Sequence, residues 1–271
     1  MFRFFRVICL LALLFGAGML ASRLYASVLR RLFPAPLPPV RIEREVRVIE
    51  GWTVNDEADQ LRALKPTWGG SANTRPFDVT LRGSFSFLRG IPIDRSLEGY
   101  LFPDTYRVWE DEMPKGLIQK QLSTFNERVY ERFKDVTLPA PLKNMDQAII
   151  LASIVEKEVP SVSDRKIVAG VFLRRLKEGM ALQSDATLGY ITHSKRGRAT
   201  AAELGLDSRY NSYAYPGLPP SPISNPGLSA IEAVFAPTPS TYRYFLTDKE
   251  GKVLYASSFE EHVRNKRRAG Y

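Results

Sequence analysis

The sequence is poor in the residues that most metal, redox and nucleophile sites require. Its 271 residues hold one cysteine, Cys9, and two histidines, His193 and His262. A single cysteine inside an N-terminal apolar run can form neither an intrachain disulfide nor a cysteine metal cluster. The two histidines stand far apart without a neighbouring acidic pattern, so neither a zinc site nor a Ser–His triad is expected. Gly69-Gly70 lacks the strand and the lysine of a phosphate-binding loop. No internal repeat is visible, and the expected complement of metal ions and cofactors is none.

Acidic residues are the next shortage. Asp and Glu number 29 against 38 Lys and Arg, a formal net charge of +9. That balance favours an anionic surrounding, whether nucleic acid, acidic lipid headgroups or an acidic polymer. A basic run, Arg264-Asn265-Lys266-Arg267-Arg268, carries no interleaved aromatic or groove-reading motif, and reads as a solvated helix end or one near anionic lipid. Nucleic acid is therefore not an expected partner. Hydrophobic residues make up 44% of the chain, enough to bury the core of one ordinary domain and a small appended one.

What is present begins at the N-terminus. Val7 to Ser22 carries no charge and is flanked by Arg3, Arg6, Arg23, Arg30 and Arg31. The run falls short of the ~20 residues a spanning helix needs. Phe4, Phe5, Leu24 and Tyr25 extend it if Arg6 and Arg23 snorkel. A cleaved signal peptide is the rival, but Met19-Leu20-Ala21 and Leu24-Tyr25-Ala26 place a large residue where a cleavage site wants a small one. The anchor reading is preferred. Basic residues on both flanks make orientation by the positive-inside rule weak.

The expected fold class is α+β: a membrane helix in residues 1–33, a Pro-rich spacer in 34–41, a small strand and helix module in 42–93, and a mixed α+β domain in 94–271. Pro34, Pro36, Pro38 and Pro39 stiffen the spacer. Ile42 to Glu50 alternates, with Val46 and Val48 inward, as a half-buried strand does. Thr53 and Asp56 form a capping box for a helix to Leu64. Residues 67–95 read as loops with one strand around Phe77 to Leu81. Apolar residues at intervals of three and four from Ile118 to Phe133 predict an amphipathic helix over 114–134. Further helices are expected from Met145 to Glu158, ended by Val159-Pro160, and from Ser161 or Ser163 to Gly179. Met180 to Pro226 is too long and irregular to be a mere connector. A hairpin around Asp248 to Gly251 and a helix capped by Ser258 and Glu261 close the chain.

The chemistry concentrates at the end of the Met145 helix. At about 100° per residue, Ile150, Leu151, Ile154 and Val155 form one stripe with Glu158 near its middle, while Glu156 points the other way. A carboxyl held against apolar walls loses hydration of its charged form, so it stays protonated near neutral pH and can donate a proton. Glu158 is the candidate acid; the plainer alternative is a buried glutamate that pairs with an arginine and organises the fold. Glu156 reads as a solvated surface charge. Glu98 and Asp104 bracket an aromatic turn and read as holders of a fold corner.

Four blocks now make a specific pattern: Leu97-Glu98-Gly99-Tyr100-Leu101-Phe102-Pro103-Asp104-Thr105-Tyr106; Ala152 to Glu158; Leu182-Gln183-Ser184-Asp185-Ala186-Thr187; and Tyr210-Asn211-Ser212-Tyr213 followed by Gly217 to Gly227. In this order they resemble the successive motifs of the endolytic murein transglycosylase, or YceG-like, family, over roughly Glu45 to Tyr271. The resemblance implies a lytic transglycosylase held by one N-terminal helix at the cytoplasmic membrane, facing outward and cutting nascent peptidoglycan within the strand. The family's catalytic glutamate falls on Glu158. Gln183, Asp185, Thr187, Asn211 and Tyr213 become candidate substrate-binding residues, Asp185 being the strongest candidate for a second acid. The competing roles are a helix cap for Asp185 and a turn for Asn211. Expected partners are glycan strands, the membrane and wall-synthesis proteins. The family's LysM-like region is shortened here, with only Ile42 to about Leu81 to represent it. The runner-up function is a noncatalytic, membrane-anchored glycan-binding protein.

Overall fold

A computed structural model describes residues 19, 22–28, 31, 40–71, 79–194 and 198–270. It divides into two compact units, residues 1–41 and 42–271. In the first, residues 22–28 are helical. No helix among the described residues is long and apolar enough to cross a membrane. The run Val7 to Ser22 lies, apart from Met19 and Ser22, outside the described residues.

The second unit is mixed α+β. Its strand β1 (Glu43–Arg47) pairs antiparallel with β2 (Thr105–Trp109), Val46 opposite Tyr106. Val46 and Val48 turn into a small core with Leu61, Trp68, Tyr106, Val108 and Leu117, as the alternation requires. The sheet and this core both cross the boundary expected near residue 93. Helix α1 (Val54–Leu64) starts at the Thr53–Asp56 capping box and stops before Pro66. Residues expected as a strand near Phe77 to Leu81 are otherwise: Phe77 lies outside the described residues, and Val79 opens a short helix, α2 (Val79–Ser84). Apolar residues there are too few to separate a two-residue period from a helical one.

Helix α3 (Lys115–Phe125) runs on through a π turn to Phe133, burying Ile118, Leu122, Phe125, Val129 and Phe133. Helix α4 (Met145–Glu158) is capped by Asn144 and ends where Val159 turns extended ahead of Pro160. It is buried on every face from Ala148 to Val155, the mark of a central helix. Packed on it are α5 (Val162–Glu178), which Ser161 caps and a left-handed Gly179 ends, and α8 (Leu228–Phe235), which follows α6 (Asp185–Thr192) and α7 (Ala201–Leu204). The chain closes with the hairpin β3 (Tyr244–Thr247) and β4 (Val253–Ala256), and with α9 (Phe259–Arg268) capped by Ser258.

One irregular segment fixes α4 to the rest. The backbone N–H of Ile223 donates to Ser153 Oγ, Ser224 Oγ donates to the Ser153 carbonyl, and Asn225 Oδ1 accepts from the backbone N–H groups of Gly99 and Leu101. Pro222 lies so close to Gly99 that a Cβ there would meet Pro222 Cγ at 2.4 Å, and φ at Gly99 is +90°. Only glycine satisfies both conditions. The first and last of the four sequence blocks thus meet on α4.

Candidate functional site

Because Glu158 is the last residue of α4, its backbone is anchored by the core while its side chain leaves the packed region. It emerges into a cavity of about 1390 Å³. One wall comes from α1 and the turn before it, with Trp52, Thr53, Asn55 and Arg62. Others come from the α6 region, with Gln183, Asp185 and Tyr190, and from Arg175, the β3 strand and α9. The cavity therefore gathers residues from both ends of the unit around Glu158.

The electrostatics of that carboxyl follow from its surroundings. Burial pushes Glu158 up to about 7, the neighbouring Asp185 pushes the same way, and a hydrogen bond donated by Ser184 Oγ together with the Arg175 charge pulls back. Raised toward neutrality, the group can give a proton and also take one. Its side chain is only partly shielded, the open side being the cavity.

The other candidates separate into two sets. Gln183, Asp185 and Tyr213 line the cavity with Glu158. Tyr213 donates its hydroxyl to Asp185 Oδ1 at 2.6 Å. Gln183 holds φ at 52°, in the left-handed region that a non-glycine residue enters at a cost, and its N–H donates to the Ser212 carbonyl. Asp185 is the first residue of α6, whose N-cap is Ser184. Thr187 and Asn211 do not reach the cavity, for both are fully buried. Thr187 Oγ1 bonds the Ser184 carbonyl and Ser212 Oγ. Asn211 donates to the carbonyls of Leu204 and Leu206 and accepts from the N–H groups of Tyr213 and Ala214. The turn role is the one Asn211 fills; both residues frame the wall from behind because their polar atoms are spent on protein partners.

Glu156 corrects a second expectation. It does point away from Glu158, yet that face of α4 is covered, not solvated. Its carboxylate pairs with Arg165 at 2.6 Å, with side chains 5% and 8% exposed, and accepts from the Gly227 N–H. Burial raises its pKa, while Arg165 and the Gly227 N–H oppose the rise. Ile149, Ala152 and Ser153 precede Glu156 at helical spacing and make a second uncharged face, but what covers that face comes from elsewhere in the chain.

Glu98 does hold a corner. Its carboxylate accepts the Val54 N–H at the start of α1, and the Tyr190 hydroxyl sits at 3.5 Å. Missed altogether were Ser184 and Arg175. Ser184 adjoins two residues that were singled out. Arg175 lies on the stripe of Val168, Val171 and Phe172, where an arginine among apolar residues signals a buried charge.

No metal-binding group of His, Cys, Asp and Glu occurs among the described residues. The model of the YceG-like family matches residues 18–268. Over 238 residues the chain is 36% identical to a Streptococcus pneumoniae serotype 2 (strain D39 / NCTC 7466) protein named endolytic murein transglycosylase, covering 80% of this chain and 43% of that one. A Bacillus subtilis (strain 168) protein of the same name is 35% identical over 175 residues, covering 64% and 48%. The chain thus spans less than half the length of these curated relatives. The crystal structure of a putative YceG-like protein from Listeria monocytogenes superposes with a TM-score of 0.69 at 30% identity, covering 81% of this chain and 74% of that one. From its α+β fold, the four ordered sequence blocks and a family match over nearly its whole length, this chain belongs to the YceG-like family.

Proposed function

We propose that this protein is a lytic transglycosylase that cuts peptidoglycan strands internally, at the bond from N-acetylmuramic acid to N-acetylglucosamine. The observation that carries the reading is Glu158, a carboxyl raised to about 7 that opens onto the large cavity. Protonated Glu158 gives its proton to the glycosidic oxygen as the C1–O bond breaks. The resulting carboxylate then takes the proton of the muramoyl 6-hydroxyl, whose oxygen attacks C1 of the same sugar and closes a 1,6-anhydro ring. The glutamate ends as it began. Tethering of the nucleophile supplies effective concentration, so no second carboxylate is needed. Ser184 and Arg175 favour the carboxylate form and keep the acid from becoming too weak to ionise.

Asp185 supports a second reading, hydrolysis with two carboxylates, since it lines the cavity and acts electrostatically on Glu158. Against this, its Oδ1 is engaged by Tyr213. Mass analysis of products from purified sacculi decides: 1,6-anhydromuramoyl ends are expected, and ordinary reducing ends would move the assignment to hydrolysis.

The finer parts of the reading concern the rest of the chain. Residues 42–93 act as a shortened LysM-like module, supported by the share of the cavity wall that Trp52, Thr53 and Asn55 form. The apolar N-terminal run anchors the protein, and the spacer holds the domain on the outer face of the cytoplasmic membrane, where peptidoglycan lies. Wall-synthesis proteins are candidate partners there. Protease added to intact spheroplasts is expected to remove the domain; full protection would contradict this topology.

A further inference from the structure

Part of the cavity wall carries more charge than the acid–base chemistry uses. The Arg175 side chain is buried, yet its N–H groups go to the carbonyls of Arg243 and Leu182. Among the described residues no carboxylate lies within salt-bridge reach of it. Its guanidinium stands 5.5 Å from the centre of the Tyr244 ring, and Tyr244 stacks on His262 with centroids 5.2 Å apart and planes at 25°. His262 Nδ1 is buried without a hydrogen-bond partner among the described residues. One turn along α9 from His262, Lys266 lines the same cavity, exposed and without an ion pair among the described residues. The charges acting on His262 are Lys266 and Arg175, both cations.

We propose that Arg175, Tyr244, His262 and Lys266 form a subsite for a carboxylate on the bound strand. The inference rests on the glycan-cutting reading above. A buried polar nitrogen with no partner and two cations with no carboxylate in salt-bridge reach among the described residues are what a site complementary to an anionic hydrogen-bonding group presents. A monoanionic carboxylate suits it better than a phosphate. Lys266 belongs to the last turn of α9, where helix carbonyls oppose a doubly charged anion. Because Arg175 also acts on Glu158, the subsite adjoins the reacting bond. Two sources of carboxylate occur on such a strand: the lactyl group of a bare muramoyl residue and the stem peptide.

The test measures the affinity of the full chain carrying Glu158→Gln for three probes: chitin oligosaccharides, which have no carboxyl, bare glycan strands and peptide-bearing strands. Lys266→Glu is expected to weaken carboxylate-bearing strands about tenfold, with chitin oligosaccharides affected far less. His262→Gln, which keeps a hydrogen-bonding group, should act in the same direction more mildly. Loss confined to peptide-bearing strands assigns the stem peptide; loss confined to bare strands assigns the lactyl carboxylate, which is an amide wherever the peptide is attached; loss for both assigns a subsite that takes either carboxylate. Equal loss for all three probes, or no loss, overturns the subsite and leaves the glycan reading standing. Stronger competition by inorganic pyrophosphate than by an acetylated dipeptide also overturns it. Failure to bind any probe would sink the glycan reading, and the subsite with it.

Discussion

Two groups of carboxyls in this protein share one perturbation and differ in access. Glu57 on α1 and Glu98 beside the start of that helix are buried, and loss of hydration pushes them up to about 7 and about 8, partly offset by hydrogen bonds from Gln121 and from the Val54 backbone. Glu158 is raised to about 7 for the same first reason. Glu57 and Glu98 have no place in the cavity wall, whereas Glu158 projects into it. A raised pKa reports lost hydration, which any interior can cause. Catalytic use requires in addition an open side where a substrate oxygen can arrive.

The sharpest way to break this comparison is Glu158→Gln, which keeps size and hydrogen bonding but removes the transferable proton. Activity on purified sacculi is expected to fall by about 10²- to 10⁴-fold or more, with an unchanged circular dichroism spectrum, because one group performs both transfers. Near-normal product release would reject Glu158 as the acid. Glu156→Ala tests the other face of α4. Breaking the buried ion pair leaves Arg165 with only the half-exposed Glu50 carboxylate at 3.9 Å and is expected to cost about 3–5 kcal/mol, read by chemical denaturation. Activity per folded molecule should survive, in contrast to Glu158→Gln.

A pH series sharpens the comparison further. Glu98 has a folded pKa raised from 4.5 to about 8, so its folded state holds a proton that the unfolded chain releases earlier. Its contribution to stability is complete below pH 4.5 and is lost as pH rises through about 8. Glu98→Gln should flatten the decline in thermal midpoint over that window. It should leave untouched the fall in kcat/KM above about 7 that deprotonation of Glu158 imposes. A shift of that kinetic limb in Glu98→Gln would show that the two groups are coupled. The smallest effect is expected from Asn144→Ala, which removes the cap of α4 at the end remote from Glu158. About 1 kcal/mol of stability should go, with product chemistry unchanged.

The longer helices were legible in sequence because their determinants are local; the short ones, α2, α6, α7 and α8, were not. Thr53 and Asp56 close a capping box within one turn, Pro160 ends α4, and Gly179 adopts the left-handed conformation that terminates α5. The hairpin around Asp248 to Gly251 was legible for the same reason. The strand expected near Phe77 was misread at Val79 to Leu81, where a short apolar run carries no period long enough to discriminate. Glu158 stood out as the candidate acid because helical phase and the sequence pattern selected the same residue.

Exposure was not legible, since it depends on what packs against each face. Phase correctly put Glu156 opposite Glu158, but only Arg165 on α5 and the Gly227 backbone, 71 residues away in sequence, decide that this face is interior. The same holds for Thr187 and Asn211, whose neighbours Gln183, Asp185 and Tyr213 reach the cavity while they do not. Sequence alone marked the longer helices, their ends and the candidate acid, through short-range backbone sterics and side-chain period. Tertiary structure alone decided which polar groups meet solvent, because burial and hydrogen-bond satisfaction are set by segments that come together only when the chain folds.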